Sequence, residues 1–173
     1  MIYIVRHGQT DWNVLGKIQG RKDIELNEVG IKQAQDLKDK FKNIKFDVVF
    51  CSPLKRALQT AQIITNQNII IDSRLIERDN GELEGKIKKD IKILPDFNDP
   101  NDTKYGVESL ASLQERLKSF YDEITKNYIG KNILIVTHAG VGIYTKCYFS
   151  GEPADNNFES YKLKNGEVWK FNN

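Results

Sequence analysis

The chain has two histidines, and both follow the same kind of segment. Ile2-Tyr3-Ile4-Val5 runs into Arg6-His7-Gly8, and Ile133-Leu134-Ile135-Val136 runs into Thr137-His138-Ala139-Gly140. An Ile/Val-rich run of four residues closed by a glycine reads as a buried strand and the turn after it. Each imidazole therefore leaves the carboxyl end of a strand. In an open α/β sheet ligand crevices form along that edge, so residues remote in sequence can face one pocket. Arg6 precedes the first histidine, and Arg56 falls in the first turns of a helix whose N-terminus faces the same edge, where backbone N–H groups favour anions. Two guanidiniums can grip a phosphate bidentately. The chemistry that suits this set is phosphoryl transfer. It needs a nucleophile in line with the leaving oxygen, cations and donors on the other oxygens, and an acid for what leaves.

The elements that must position these groups follow from pattern. Residues 8–26 contain three glycines and little periodicity, which predicts a loop over the sheet edge. Asn27 is placed as a helix N-cap, with Ile31, Ala34, Leu37 and Phe41 on one face. Phe46–Cys51 reads as the second strand, and Ser52-Pro53 as a cap and first turn for a helix over 53–66. Ile69–Ile71 gives a third strand, residues 74–85 an irregular acidic stretch, and residues 86–107 a polar segment without a clear pattern. A long helix spans Glu108 to about Tyr128, a fourth strand Asn132–Thr137, and a further helix Gly140–Phe149. Alternation over 160–164 and 167–171, about Asn165-Gly166, predicts a hairpin. The expected architecture is α/β: a three-layer sandwich with a mostly parallel central sheet, helices on both faces and a C-terminal antiparallel hairpin.

At 173 residues the chain fits one domain spanning 1–173. Twenty-six Lys plus Arg against 24 Asp plus Glu leave a formal charge of +2, too weak a field to imply a nucleic-acid or membrane partner. Cys51 and Cys147 lack the spacing of a metal or redox pair and read as buried thiols. The N-terminal residues lack a basic leader and no stretch has the length of a membrane span, so a cytoplasmic location is expected.

Arg6-His7-Gly8-Gln9-Thr10 with Trp12-Asn13, Ser52-Pro53-Leu54-Lys55-Arg56-Ala57-Leu58-Gln59-Thr60-Ala61, and Thr137-His138-Ala139-Gly140 together resemble the histidine phosphatase superfamily. That group includes cofactor-dependent phosphoglycerate mutases and small bacterial phosphatases. The likeness runs nearly the whole length, through Gly20–Gly30 and Glu108-Ser109-Leu110. It implies that His7 attacks phosphorus and becomes a phosphohistidine, while Arg6, Arg56 and His138 hold the phosphate and Asn13 adds a hydrogen bond. It also places the loop carrying Arg21 near the pocket, as a contact to phosphate or substrate. Leu75–Gly85 resembles the segment whose first glutamate is the proton donor, which selects Glu77; Asp79, Glu82 and Glu84 compete for the role.

A neutral imidazole is a good nucleophile near pH 7, whereas Ser or Thr would need an activating base. His7 must then donate from its other nitrogen, and a nearby backbone carbonyl is the expected acceptor. His138, beside the dianion, is expected to be cationic. Lys86, Lys88, Lys89 and Lys92 read as a solvated face, with recognition of a second anionic group as the functional alternative. Trp12 reads as loop packing, and Gly140-Val141-Gly142 is too short to argue for dinucleotide binding.

The function expected is metal-independent hydrolysis of a small phosphomonoester through a phosphohistidine. No cofactor is expected, and no metal: the histidines and carboxylates lack ligand spacing such as HExxH. One alternative is a phosphoglycerate mutase-type phosphotransferase, but such relatives resemble a longer chain with a basic insertion after the acid, and here Gly85 to Glu108 is short and lacks an arginine. The other is a non-catalytic phosphate-binding module, because a fold alone does not prove turnover.

Overall fold

A computed structural model of the chain describes residues 1–95, 99–155 and 157–172. Five strands, β1 (Ile2–Arg6), β2 (Val48–Cys51), β3 (Ile69–Ile71), β4 (Ile133–Thr137) and β5 (Val168–Phe171), form one sheet in the order β3-β2-β4-β1-β5. The first four are parallel, and β5 runs antiparallel beside β1. The helices are α1 (Asp11–Val14), α2 (Glu28–Phe41), α3 (Lys55–Ile64), α4 (Leu110–Asn127) and α5 (Ala139–Ser150).

Alternation along the strands divides the interior in two. Ile2 and Ile4 of β1 join Ile133 and Ile135 of β4 in a core covered by Leu113, Leu117, Phe120 and Ile124 of α4 and Val141 of α5. Tyr3 and Val5 point the other way with Leu134 and Val136, against Leu37 and Phe41 of α2 and Ala57, Ala61 and Ile64 of α3. Helices thus cover both faces of a mostly parallel sheet, the predicted class. Asn27 caps α2 by accepting from the Gly30 N–H (2.9 Å), and Ser109 caps α4 through Ser112 (3.1 Å). Caps of this kind stabilise a helix by about 1 kcal/mol. Among the described residues no helix is long and apolar enough to cross a membrane.

Two local expectations are corrected. Ser52 does not cap α3; the cap residue is Leu54, without a side-chain bond, and the Lys55 N–H is instead satisfied by Asp23 from the long loop (2.7 Å). Ser52 is held elsewhere, its hydroxyl 2.6 Å from His138. The C-terminal hairpin lacks its first arm. Phe158–Tyr161 form a 3₁₀ turn, with Lys146 of α5 over both Tyr161 (4.2 Å) and Trp169 (4.9 Å), and the antiparallel pairing is made by β5 with β1. The turn itself is present: Gly166 has φ 68°, and the Glu167 N–H donates to the Lys164 carbonyl at 3.0 Å. Leu163 is fully buried, a tertiary demand that overrides the short alternating pattern. In the polar segment, 3₁₀ turns form at Lys88–Asp90 and Lys104–Gly106.

Candidate active site

The matched settings of the two histidines come from strand pairing. β1 and β4 are parallel neighbours with Arg6 opposite Thr137, so His7 and His138 leave the sheet side by side. Their ring centroids are 5.2 Å apart, and the His7 N–H donates to the Thr137 carbonyl (2.9 Å). β2 lies on the other side of β4, and the Ser52 N–H donates to the Val136 carbonyl (3.1 Å), bringing the start of α3 to the same edge.

His7 is buried, with Nδ1 2.7 Å from the Gly8 carbonyl oxygen. A carbonyl only accepts, so Nδ1 carries the proton and Nε2 is left with its lone pair. Nε2 accepts from Arg56 Nε at 3.2 Å. Burial first, then the charges of Arg56 and Arg6, hold the ring well below the ordinary histidine range, so it is neutral at pH 7. His138 is pushed the same way, by burial first and then Arg56, His7 and Arg6, so a cationic ring there requires the charge of a phosphate dianion beside it. Its Nε2 meets Ser52 Oγ, and its Nδ1 is buried without a hydrogen-bond partner.

Arg56 is 1% exposed and reaches three acceptors: His7 Nε2, the Lys22 carbonyl and the Gly20 carbonyl, the last two at 2.7 Å. Burial lowers its pKa to about 10, so it remains charged at pH 7. Arg6 donates from Nη1 to the Leu163 carbonyl (2.9 Å), while its buried Nε has no partner. A buried donor without a partner costs about 1–3 kcal/mol, so Arg6 Nε and His138 Nδ1 mark a site organised for a guest. The charges of Arg6 and Arg56 suit an anionic guest, and Ala139 and Gly140 at the N-terminus of α5 line the same pocket.

Arg6, His7, Asn13, Arg56 and Glu77 line one pocket, with His138 packed beside His7. The Glu77 carboxylate accepts from the Arg78 N–H (2.9 Å) and the Gly140 N–H (3.1 Å). A Cβ added at Gly140 would lie 2.5 Å from Glu77 Oε1, so glycine is what admits the carboxylate. Asp79, Glu82 and Glu84 do not line the pocket; Asp79 and Glu84 bind backbone N–H groups of the surrounding loops. Arg21 also lies outside the lining. Its Nε donates to the Glu77 carbonyl (3.3 Å), and its other nitrogens pair with Asp79 (3.5 Å) and Glu108 (3.2 Å). Of the four clustered lysines only Lys88 reaches the pocket, where Lys17 and Lys162 join it, and Trp12 forms part of the wall.

Several groups escaped the sequence reading. Gln19 lines the pocket with its buried Oε1 unpartnered. The Thr60 hydroxyl accepts from the Gly8 N–H (3.0 Å) and donates to the Arg56 carbonyl (2.7 Å), tying the two motifs together. Arg116 on α4 grips Glu108 and reaches the Glu77 carbonyl (3.4 Å). Asn165 bonds the His7 carbonyl (3.0 Å). Periodicity offers no signal for any of these, since each acts on a distant segment; the Thr60 spacing within the arginine motif was the nearest clue.

Known proteins match the chain along nearly its whole length. The profile of the histidine phosphatase superfamily (branch 1) matches residues 2–172. The phosphatase PhoE of Bacillus subtilis (strain 168) is 38% identical over 141 residues, covering 79% of this chain and 70% of its own length. Phosphoserine phosphatase 1 of Hydrogenobacter thermophilus is 35% identical over 147 residues, with the same two coverages of 79% and 70%. The crystal structure of phosphoserine phosphatase from Entamoeba histolytica in complex with 3-phosphoglyceric acid superposes with a TM-score of 0.82 at 28% identity, covering 96% of this chain and 87% of that one. The chain belongs to the histidine phosphatase superfamily, branch 1, and is an enzyme of the phosphatase type.

Proposed function

We propose that this protein hydrolyses a small phosphomonoester without a metal, through a phosphohistidine on His7. The observation that carries this reading is the locked tautomer of His7: the proton sits on Nδ1 against the Gly8 carbonyl, and Nε2 is unprotonated beside the buried Arg56. Nε2 attacks phosphorus, the ester P–O bond breaks, and Glu77 gives its proton to the departing oxygen. Water then attacks the phosphohistidine, returning a proton to Glu77 and releasing inorganic phosphate and neutral His7. Arg6, Arg56, Asn13 and His138 hold the phosphoryl oxygens. In this reading the Ser52 O–H donates to His138 Nε2 (2.6 Å), which leaves Nδ1–H for the phosphate. Arg21 acts one step back, through the Glu77 carbonyl.

The substrate carries a second anionic group, which Lys17, Lys88 and Lys162 meet at the pocket, with Glu159 offsetting part of their charge (3.4 Å from Lys88, 3.1 Å from Lys162). Phosphoserine and phosphoglycerate, the ligands of the relatives, have that form. Hydrolysis is favoured over transfer to a second substrate because 85–108 supplies no arginine to close over a bisphosphate. The test is a phosphomonoester panel assayed with a chelator present. Phosphate release that survives chelation, with Lys88→Ala raising KM for substrates that carry a second anionic group but not for nitrophenyl phosphate, is the expected result. Phosphate binding without turnover would leave the non-catalytic module; turnover abolished by the chelator would remove the metal-free mechanism.

A further inference from the structure

We infer that Asn165 is a positioning residue that sets both the tautomer of His7 and the orientation of Asn13. Its Nδ2 carries two hydrogens and lies within reach of three acceptors: the His7 carbonyl (3.0 Å), the Gly8 carbonyl (3.3 Å) and Asn13 Oδ1 (3.3 Å). The Gly8 carbonyl is the same oxygen that accepts from His7 Nδ1. Asn165 therefore donates toward the second lone pair of the carbonyl that, together with the Arg56 Nε–H, keeps the proton off Nε2, and it holds that carbonyl in the plane the imidazole needs. At Asn13, Oδ1 already accepts from the Thr10 N–H (3.0 Å) and the Thr10 hydroxyl (3.1 Å). Asn165 adds a longer contact to the same oxygen, its two hydrogens shared among three acceptors, and this steadies the orientation in which the Asn13 NH₂ is turned away from the loop as a donor. One amide thus organises a nucleophile and a phosphate donor that come from two different segments.

The turn is built to hold that amide in place. Gly166 takes the left-handed backbone conformation, its N–H donates to the Arg6 carbonyl (3.2 Å), and the Arg6 N–H donates to the Glu167 carbonyl (3.3 Å). On the near side Leu163 is fully buried and its carbonyl accepts from the Arg6 guanidinium. Residues 163–167 clasp Arg6 and His7 from outside the sheet edge, with Asn165 as the side chain that reaches through. A side chain so placed acts on geometry, and a misplacement of about 1 Å in a reacting group costs roughly a hundredfold in rate.

The inference rests on the phosphatase reading for its kinetic arm only. Two histidines make the imidazole spectrum simple to assign, with His7→Gln identifying the His7 signals. Long-range ¹H–¹⁵N correlation at pH 7 should show wild-type His7 with a protonated Nδ1 and an unprotonated Nε2. In Asn165→Ala and in the isosteric, donor-less Asn165→Asp, that pattern should move toward a tautomer mixture while His138 keeps its own. The phosphorylation burst should fall about 10- to 100-fold, and inorganic phosphate should inhibit more weakly. Trp169→Ala, which loosens the same C-terminal segment without touching the amide, should lower Tm and leave the His7 pattern intact. An unaltered His7 pattern in whichever Asn165 variant folds, or an equal change in Trp169→Ala, overturns the inference. If wild-type enzyme forms no phosphoenzyme at all, the phosphatase reading fails and the tautomer measurement still decides the role of Asn165.

Discussion

Arg56 shows how much one side chain organises: a fully buried cation whose three contacts are His7 and two carbonyls of the loop above it. Arg56→Ala should cost a hundredfold or more in kcat/KM, about 3 kcal/mol of transition-state stabilisation, while circular dichroism shows the fold intact. Arg56→Lys should recover little, because a single ammonium cannot reproduce a planar fork on three acceptors. A loss under tenfold in a folded Ala variant would place the guanidinium outside the reaction. The residue types that do chemistry were readable because histidine and arginine at strand and helix ends are conspicuous. Gln19, Ser52, Thr60 and Asn165 were not, since a neutral polar side chain reveals its purpose only through a partner on another segment.

Strand pairing accounts for the repeated strand-His setting, because β1 and β4 are adjacent and in register at Arg6 and Thr137. Periodicity read these buried strands well, and it read α2 and α4 for the same reason: their apolar stripes are continuous. It failed at 160–164, where a few alternating residues imitate a strand but Leu163 is drawn into the core and Tyr161 against Lys146. The start of α5 yields a test. Gly140→Ala puts a methyl against Glu77 Oε1 and should push the carboxylate aside while extending a good helix former into α5. Burst rates on alkyl phosphates should fall at least tenfold, with a much smaller loss for nitrophenyl phosphate, whose leaving group needs no acid. Equal losses on both would point away from Glu77 as the donor.

For the whole molecule, two buried neutral histidines tie stability to pH. Both have native pKa values well below the unfolded value of 6.5, so as pH falls through 6.5 the unfolded chain takes up protons that the native state refuses. Stability should therefore drop below pH 6.5 by up to about 2.7 kcal/mol per pH unit, roughly 1.4 for each ring. Urea midpoints between pH 5 and 7 measure this, and His138→Gln should halve the slope; a flat profile would mean that the rings titrate in the fold as they do in the unfolded chain. Inorganic phosphate should raise the unfolding free energy through the same pocket, by about 2.7 kcal/mol at a hundredfold excess over Kd, and the midpoint with it. The claim on which the account rests is that the phosphoryl group passes through His7. Rapid quench of enzyme with a good phosphomonoester under alkaline denaturation, followed by peptide mapping, should find one acid-labile, base-stable phosphate on His7, formed in a burst and absent from His7→Ala. Phosphate mapped to any other residue, or near wild-type turnover in His7→Ala, would contradict it.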